Sequence, residues 1–253
     1  MSKYRQTKIA KRVYSELKTM QRCYLVEYES LEYRKSLELQ NRIRELKEND
    51  RDFDNFLLVL QHNPIFTIGK KGTRDDIIAP TDLLQKEGID VLEVKRGGEV
   101  TYHGPGQLVV YFHLNLTRAG ISVDKFVWKM EETLIELLKL YGIEGWRMVG
   151  YPGVWVNYQK RKWKIAAIGA RASKMITSHG LALNVNTNMD HFKLIIPCGI
   201  TEYEPISMKQ ILGKTIDIKR VYERFERIYE KVFKMSLERI SSKELEKRIG
   251  ENA

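Results

Sequence analysis

Cysteine is nearly missing from this chain: Cys23 and Cys198 are the only two in 253 residues, and they lie far apart. That spacing excludes a disulfide framework and fits a reducing compartment, so a cytoplasmic location is expected. Long apolar runs are missing as well. None approaches the length of a membrane span and no signal-peptide core follows the start, so no membrane association is expected. The five histidines form no H-E-x-x-H pattern and the cysteines no C-x-x-C pair, so no metal is expected. Lys70-Lys71-Gly72-Thr73 resembles part of a phosphate loop but lacks the G-x-x-x-x-G-K-[ST] spacing, which excludes one. No fixed-period repeat, low-complexity tract or linker breaks the chain.

What is present is charge and enough apolar residue for a core. The net charge is +10 and 43% of residues are apolar, so neither disulfides nor metals are needed for stability. A basic chain attracts nucleic acid, membranes or acidic proteins, and composition alone does not rank these. The first twenty-two residues are basic, with Glu16 the single acid. Lysine dominates there, whereas mitochondrial presequences are Arg- and Ser-rich, so residues 1–21 read as a basic, helical, solvated extension. Elsewhere the basic residues alternate with acids along helices, and no nucleic-acid signature appears. A basic nucleic-acid-binding module is therefore the outlying alternative.

Hydrophobic periodicity gives an ordered set of elements. Arg22 to Tyr28 reads as a strand, and Tyr33, Leu37, Leu39, Ile43 and Leu46 give an imperfect helical stripe. Phe56 to His62 reads as a buried strand, broken by Asn63-Pro64 and resumed at Ile65 to Gly69. Thr81 to Gly88 is a short helix stopped by its glycine. Ser122 caps a helix with Phe126, Met130, Leu134, Leu137 and Leu138 on one face, ended by Gly142. Val154 to Val156 leads into a turn at 157–160; Lys164 to Arg171 and Gly180 to Asn186 then read as paired strands. Ile218 to Phe233 forms the last strong helix. This order predicts an α/β (α+β) single domain over residues 22–235, a mixed sheet with helices packed on one side, then a charged tail over 236–253.

The stretch Arg96-Gly97-Gly98-Glu99-Val100-Thr101-Tyr102-His103-Gly104-Pro105-Gly106-Gln107 interrupts two strands. Glycine at this density marks backbone that takes unusual conformations or lets something approach closely. Hairpins need only about two to five loop residues, and the polar residues interleaved with these glycines read as a binding platform. Cys198, in Pro197-Cys198-Gly199, is a candidate nucleophile on a tight turn after an apolar run, against the plainer reading of a small buried hydrophobe. Cys23 sits inside an alternating strand and reads as structural. Lys164 opens a strand of small and apolar residues, where it is partly desolvated and suited to hold a thiolate and then serve as base. His103 and His179 each precede a glycine at a strand end, which suits a shared pocket.

These residues resemble the signature of the lipoyl(octanoyl) transferases. The likeness starts in the Arg96–Gln107 stretch and in Gln61-His62-Asn63-Pro64 with Thr67-Ile68-Gly69. It continues in Lys164-Ile165-Ala166-Ala167-Ile168-Gly169, in Ser178-His179-Gly180-Leu181-Ala182-Leu183-Asn184-Val185 and in Pro197-Cys198-Gly199, spanning about Cys23 to Phe233. Asn63 stands where a second proline is expected, and the segment 171–177 is less basic than usual. The resemblance implies a fold shared with biotin and lipoate protein ligases. It also implies transfer of an octanoyl or lipoyl group, without cofactor or ATP, to a lysine. The donor would be octanoyl-acyl carrier protein. The acceptors would be lipoyl domains of 2-oxoacid dehydrogenase E2 subunits and glycine-cleavage H protein. By position, Cys198 would form the acyl-thioester and Lys164 would tune it. Arg96, Gly97, Gly98, Glu99, Val100, Thr101, Tyr102 and His103 would line the acyl site, with Ala167, Ile168, Gly169, His179, Gly180, Leu181 and Ala182. A monomer is expected, with acidic partners drawn by the positive charge. The nearest rival is an ATP-dependent lipoate or biotin protein ligase, which needs no cysteine.

Overall fold

The computed structural model describes residues 20–196 and 204–250. In chain order these form β1 (Gln21–Glu27), α1 (Tyr33–Asn49), β2 (Asn55–Leu60), β3 (Ile65–Ile68), α2 (Thr81–Lys86), β4 (Asp90–Glu93), β5 (Val100–His103) and β6 (Gln107–His113). There follow α3 (Leu116–Ala119), α4 (Val123–Lys139), β7 (Gly145–Met148), β8 (Tyr151–Tyr158), β9 (Arg161–Ile168), β10 (Arg171–Ser173), β11 (Ile176–Ser178) and β12 (Gly180–Asn184). The rest is β13 (Glu204–Pro205), α5 (Met208–Leu212), α6 (Ile218–Phe233), β14 (Met235–Arg239) and α7 (Ser242–Ile249). Among the described residues no helix is long and apolar enough to cross a membrane.

The large sheet runs β14-β1-β2-β6-β12-β9-β8-β7, with β13 beside β9. It is mixed: β14, β1 and β2 are parallel, and the pairs from β2 to β7 are antiparallel. The centre reads in sequence as continuous apolar runs because both faces are covered; every residue of β2 and β6 is buried. On one face Leu57, Val59, Leu108, Val110 and Phe112 meet Phe126, Met130 and Leu134 of α4, and Phe225, Tyr229 and Phe233 of α6. On the other, Phe56, Leu58, Val109 and Tyr111 meet Leu39 and Ile43 of α1, and Leu245 and Ile249 of α7. The expectation of helices on one side is thus corrected. The stripes of α1 and α6 are both real, but alternate residues of the same strands are apolar, so each face needs its own cover.

Local signals in the sequence set the helix ends. The Ser122 side chain accepts from the Lys125 N–H at the start of α4, and Asp217 accepts from Lys219 and Arg220 at the start of α6. Gly142 follows α4 with φ of 73°. Residues 236–253, expected as a charged tail, instead complete the fold as far as Gly250. β14 pairs in parallel with β1, and α7 buries Leu245 and Ile249 against the sheet, with its charges outward. A short segment with five charged residues in α7's eight hides its apolar stripe from a composition-based reading. The basic extension lies outside the described residues apart from Met20 and Gln21.

A second, three-stranded sheet, β4-β3-β5, lies beyond the large one and carries the Gly-rich stretch at its edge. Its own core is Phe66, Ile68, Leu84, Ile89, Val100 and Tyr102 with Phe192 and Ile195.

Candidate active site

A cavity is bounded by β9, β12 and β6 of the large sheet, by the Gly-rich stretch and β5, and by the start of α1. The space between its walls is about 540 Å³ with the open mouth included, and most of the enclosed part is narrow. Its floor is Ala167 of β9 facing Ala182 of β12. Beside them Gly169 and Gly180 are held together by a 2.9 Å bond from the Gly169 N–H to the Gly180 carbonyl. A Cβ on Gly180 would stand 2.1 Å from the Val110 carbonyl, so only glycine lets β12 lie this close to β6.

Lys164 reaches this cavity through a kink in its strand. Across β8 and β9 the pairing steps from Val154↔Ala166 to Trp155↔Lys164, which leaves Ile165 as an extra residue. Side chains alternate along a strand, so Lys164 and Ala167, three apart, would otherwise point to opposite faces. The extra residue resets the alternation. Ile165 and Ala166 both enter the α4–α6 core, and Lys164 and Ala167 both line the cavity. Gly153 is part of the same device. It sits at φ of 132°, and a Cβ there would lie 2.8 Å from the Lys164 Cε. The Lys164 ammonium also stands 5.3 Å from the Trp155 ring centre.

The Gly-rich wall is fastened by Arg96, which is buried. Its Nε donates to the Thr67 hydroxyl (3.0 Å), one terminal nitrogen to the Thr67 carbonyl (2.6 Å), and the other to the Gly97 carbonyl (2.9 Å). The Gly69 and Lys71 N–H groups donate to the Glu99 and Gly98 carbonyls, clamping the loop onto β3. Gly97 approaches β9, since a Cβ there would be 3.3 Å from the Ala170 carbonyl. Arg96 and these backbone bonds together hold the shape of the loop.

A set of buried aromatic and imidazole rings closes the α1 side. The His103 Nδ1–H donates to the Gln107 side-chain carbonyl (2.8 Å), whose amide donates to Tyr102 O and Asn184 Oδ1. His103 stacks on Tyr33 at 5.7 Å between ring centres. The His62 Nδ1–H donates to the Leu31 carbonyl (2.6 Å), so its Nε2 accepts from the Tyr111 hydroxyl (2.7 Å). Burial holds these imidazoles neutral: His62 and His179 are each pushed down to about 4, and His103 well below its ordinary value. Burial also raises Tyr111 well above the usual phenol range.

The structure gathers Arg96, Gly97, Gly98, Glu99, Val100, Thr101, His103, Lys164, Ala167, Ile168, Gly169, His179, Gly180, Leu181 and Ala182 around this one cavity. Tyr102 is the exception and is corrected. Alternation along β5 sends Thr101 and His103 to the cavity, and Tyr102 to the far side against Phe66, His191 and Phe192. Cys198 lies outside the described residues, as do Pro197 and Gly199. Tyr33 and Tyr111 also line the cavity; the sequence pattern assigns Tyr33 only to a helical stripe and leaves Tyr111 inside an apolar run. The polar tips of two tyrosines in otherwise apolar runs were the available signal.

A profile of the lipoyl protein ligase A/B catalytic domain matches residues 32–230. An octanoyltransferase of Caldicellulosiruptor saccharolyticus is 42% identical over 229 residues, covering 90% of this chain and 94% of its own. One from Clostridium kluyveri is 38% identical over 219 residues, covering 86% and 91%. The chain belongs to the octanoyltransferase family. Among solved structures, a lipoate-protein ligase A bound with ATP superposes with a TM-score of 0.71 at 16% identity, covering 92% of this chain and 94% of that one. The bipartite lipoate protein ligase of Thermoplasma acidophilum gives 0.68 at 14%, covering 92% and 91%. These two likenesses establish a lipoate-ligase fold for this octanoyltransferase, with a mixed sheet in one catalytic domain.

Proposed function

We propose that the protein moves an octanoyl group from acyl carrier protein to a lysine of lipoyl domains through a thioester on Cys198. One observation carries the reading: a narrow apolar slot floored by alanine and glycine has Lys164 turned into it by a strand irregularity. The described chain resumes after Ile196 at Glu204, and β13 pairs Pro205 with Lys164. Pro205, seven residues after Cys198 in sequence, is thus on the strand beside Lys164, which supports the pairing of Cys198 and Lys164 in the reaction.

The chemistry follows in two half-reactions. The Cys198 thiolate, held by the Lys164 ammonium, attacks the donor thioester carbonyl; a C–S bond forms and the carrier's C–S bond breaks. The departing thiolate takes the proton from Lys164, leaving an acyl-enzyme beside a neutral amine. The acceptor amine then attacks the acyl carbon as Lys164 accepts its proton, and the Cys198 thiolate leaves. Backbone N–H groups of the glycine-rich wall or of Cys198 would steady the oxyanion. The donor is already activated, so no ATP is consumed.

The test uses octanoyl-carrier protein, a lipoyl domain and no ATP. Wild type acylates the domain, and Cys198→Ser loses on the order of 10⁴ or more in rate. Full activity in the variant, or a strict ATP requirement, overturns the reading in favour of a ligase. Thiol alkylation against pH tests Lys164 separately. Lys164→Ala shifts the reactive limb of the Cys198 profile to higher pH, and an unchanged profile removes Lys164 from the mechanism.

A further inference from the structure

The acyl slot does not end in a solid wall. A second, wider cavity lies between α1, the end of β4 and the β10–β11 hairpin, lined by Gln40, Arg44, Glu45, Lys95, Arg171 and other residues. Of the described residues lining either space, His179 is common to both. It is 5% exposed and sits at φ of 56°, a left-handed conformation that a side chain of this size rarely takes. Two bonds fix its backbone: its N–H donates to the Gln40 side-chain carbonyl (2.9 Å), and its carbonyl accepts from the Phe112 N–H (2.9 Å). The ring meets Tyr111 edge-on at 6.2 Å between centres, and its Nδ1 has no partner among the described residues.

From this placement we infer that His179 sets the acyl chain length, as the ring that stops the ω-end of the chain at the boundary between the two cavities. The inference rests on the reading above, in which the reacting carbonyl lies at the Lys164 end. The Lys164 Cε lies beside Gly153, which pairs with Ala167, so the amine end stands at about the level of Ala167. An extended eight-carbon acyl group spans roughly 9 Å, from seven C–C bonds of about 1.5 Å in a zigzag. Ile168 pairs with Leu181, and Gly169 with Gly180, so His179 falls opposite Ala170, three residues or roughly 10 Å beyond Ala167, where such a chain ends. Two further methylenes add roughly 2.5 Å and run into the imidazole. Beyond the ring, the charges of Arg44, Glu45, Lys95 and Arg171 line a wet space, where methylene groups gain little from leaving water. Steric stop and polar surroundings act in the same direction.

The test is a chain-length series: C6, C8, C10, C12 and C14 acyl-carrier protein with a lipoyl domain and no ATP, read as kcat/KM. Wild type falls at least tenfold between C8 and C12. In His179→Gly the C12-to-C8 ratio rises at least tenfold. In His179→Asn, smaller than imidazole and tolerant of left-handed backbone, it rises by less. Thermal melts establish that each variant is folded. A folded Gly or Asn variant with the wild-type ratio overturns the inference. So does a wild-type protein that uses C14 as well as C8, a result that needs no variant. Failure of wild type to use the C8 donor without ATP would instead overturn the transferase reading.

Discussion

The two faces of the large sheet are built from alternate residues of the same strands, yet they obey different rules. Along β6, Leu108, Val110 and Phe112 point into a dry core with α4 and α6. Val109, Tyr111 and His113 point the other way, towards α1. On that second side the fold buries His62, His103, His113, His179, Gln40, Lys47 and Arg96, groups that each cost free energy to dehydrate. One face is arranged for stability alone; the other accepts a penalty in order to shape a slot and hold its walls. The comparison therefore predicts that conditions and substitutions will act on the two faces in different currencies, stability on one and activity or pH response on the other.

The largest effect is acid. His62 and His179 are held down to about 4 and His113 to about 3, all chiefly by burial, and His103 lies well below its ordinary value. In the unfolded chain each titrates near 6.5. Stability is complete above the unfolded value and is lost as pH falls towards the folded one, because the unfolded chain then binds more protons. From pH 6.5 to 5 each of His62, His113 and His179 costs about 1–2 kcal/mol, about 5 kcal/mol for the three, and His103 acts in the same direction. That is comparable with the roughly 5–15 kcal/mol of a whole domain. Urea unfolding at pH 7.5, 6.5, 5.5 and 5.0 is expected to show a steep fall below 6.5. A flat profile to pH 5 would mean that the histidine face is hydrated.

Next come core substitutions. Phe112→Ala removes a ring packed on Phe126, Tyr229 and Phe233, and is expected to cost about 3–5 kcal/mol. Ala182→Leu, on the opposite face, projects from a buried position into the slot and should cost about 1–2 kcal/mol, less than the core truncation. It fills the slot, and octanoyl transfer per folded molecule is expected to fall at least a hundredfold. Equilibrium unfolding and kcat/KM on both variants separate the two currencies. A large stability loss with Ala182→Leu, or retained transfer, would collapse the distinction.

The two faces also differ in what the sequence disclosed. Apolar periodicity placed α4 and α6, and continuous apolar runs placed β2 and β6, since burial on one face or on both leaves a readable pattern. The slot was legible through glycine density at residues 97–106, whereas Ala167, Gly169, Gly180 and Ala182 were reached through the family resemblance alone. What stayed hidden depended on register and distant pairing. Ile165 shows as an extra residue only against β8, and Tyr102 faces away only once β5 is paired with β3. α7 looked like a tail because its two core residues are spaced among charges. His113 lies in the apolar run 108–114 with nothing in the sequence to single it out, although both of its ring nitrogens lack a partner among the described residues.

That residue gives the smallest and most discriminating test. His113 is fully buried, and neither ring nitrogen has a hydrogen-bond partner among the described residues. Burial opposes protonation of His113, and so does the positive charge of Lys47, whose ammonium donates to the carbonyls of Phe53 and Asp54 and to the Asn55 side chain. Replacing it with leucine removes the dehydration penalty and keeps most of the volume. His113→Leu is expected to gain about 1–2 kcal/mol at pH 7. At pH 5 the gain should grow by about a further 2 kcal/mol, because wild type must exclude a proton that the unfolded chain binds and the variant has none to exclude. The growth with acidity is the deciding quantity. Cavity and packing errors of the substitution are the same at both pH values and cancel in the difference. A gain at pH 5 no larger than at pH 7 would show that His113 is not held neutral against a cost. The acid sensitivity would then have to come from His62, His103 and His179, the histidines that line or buttress the slot.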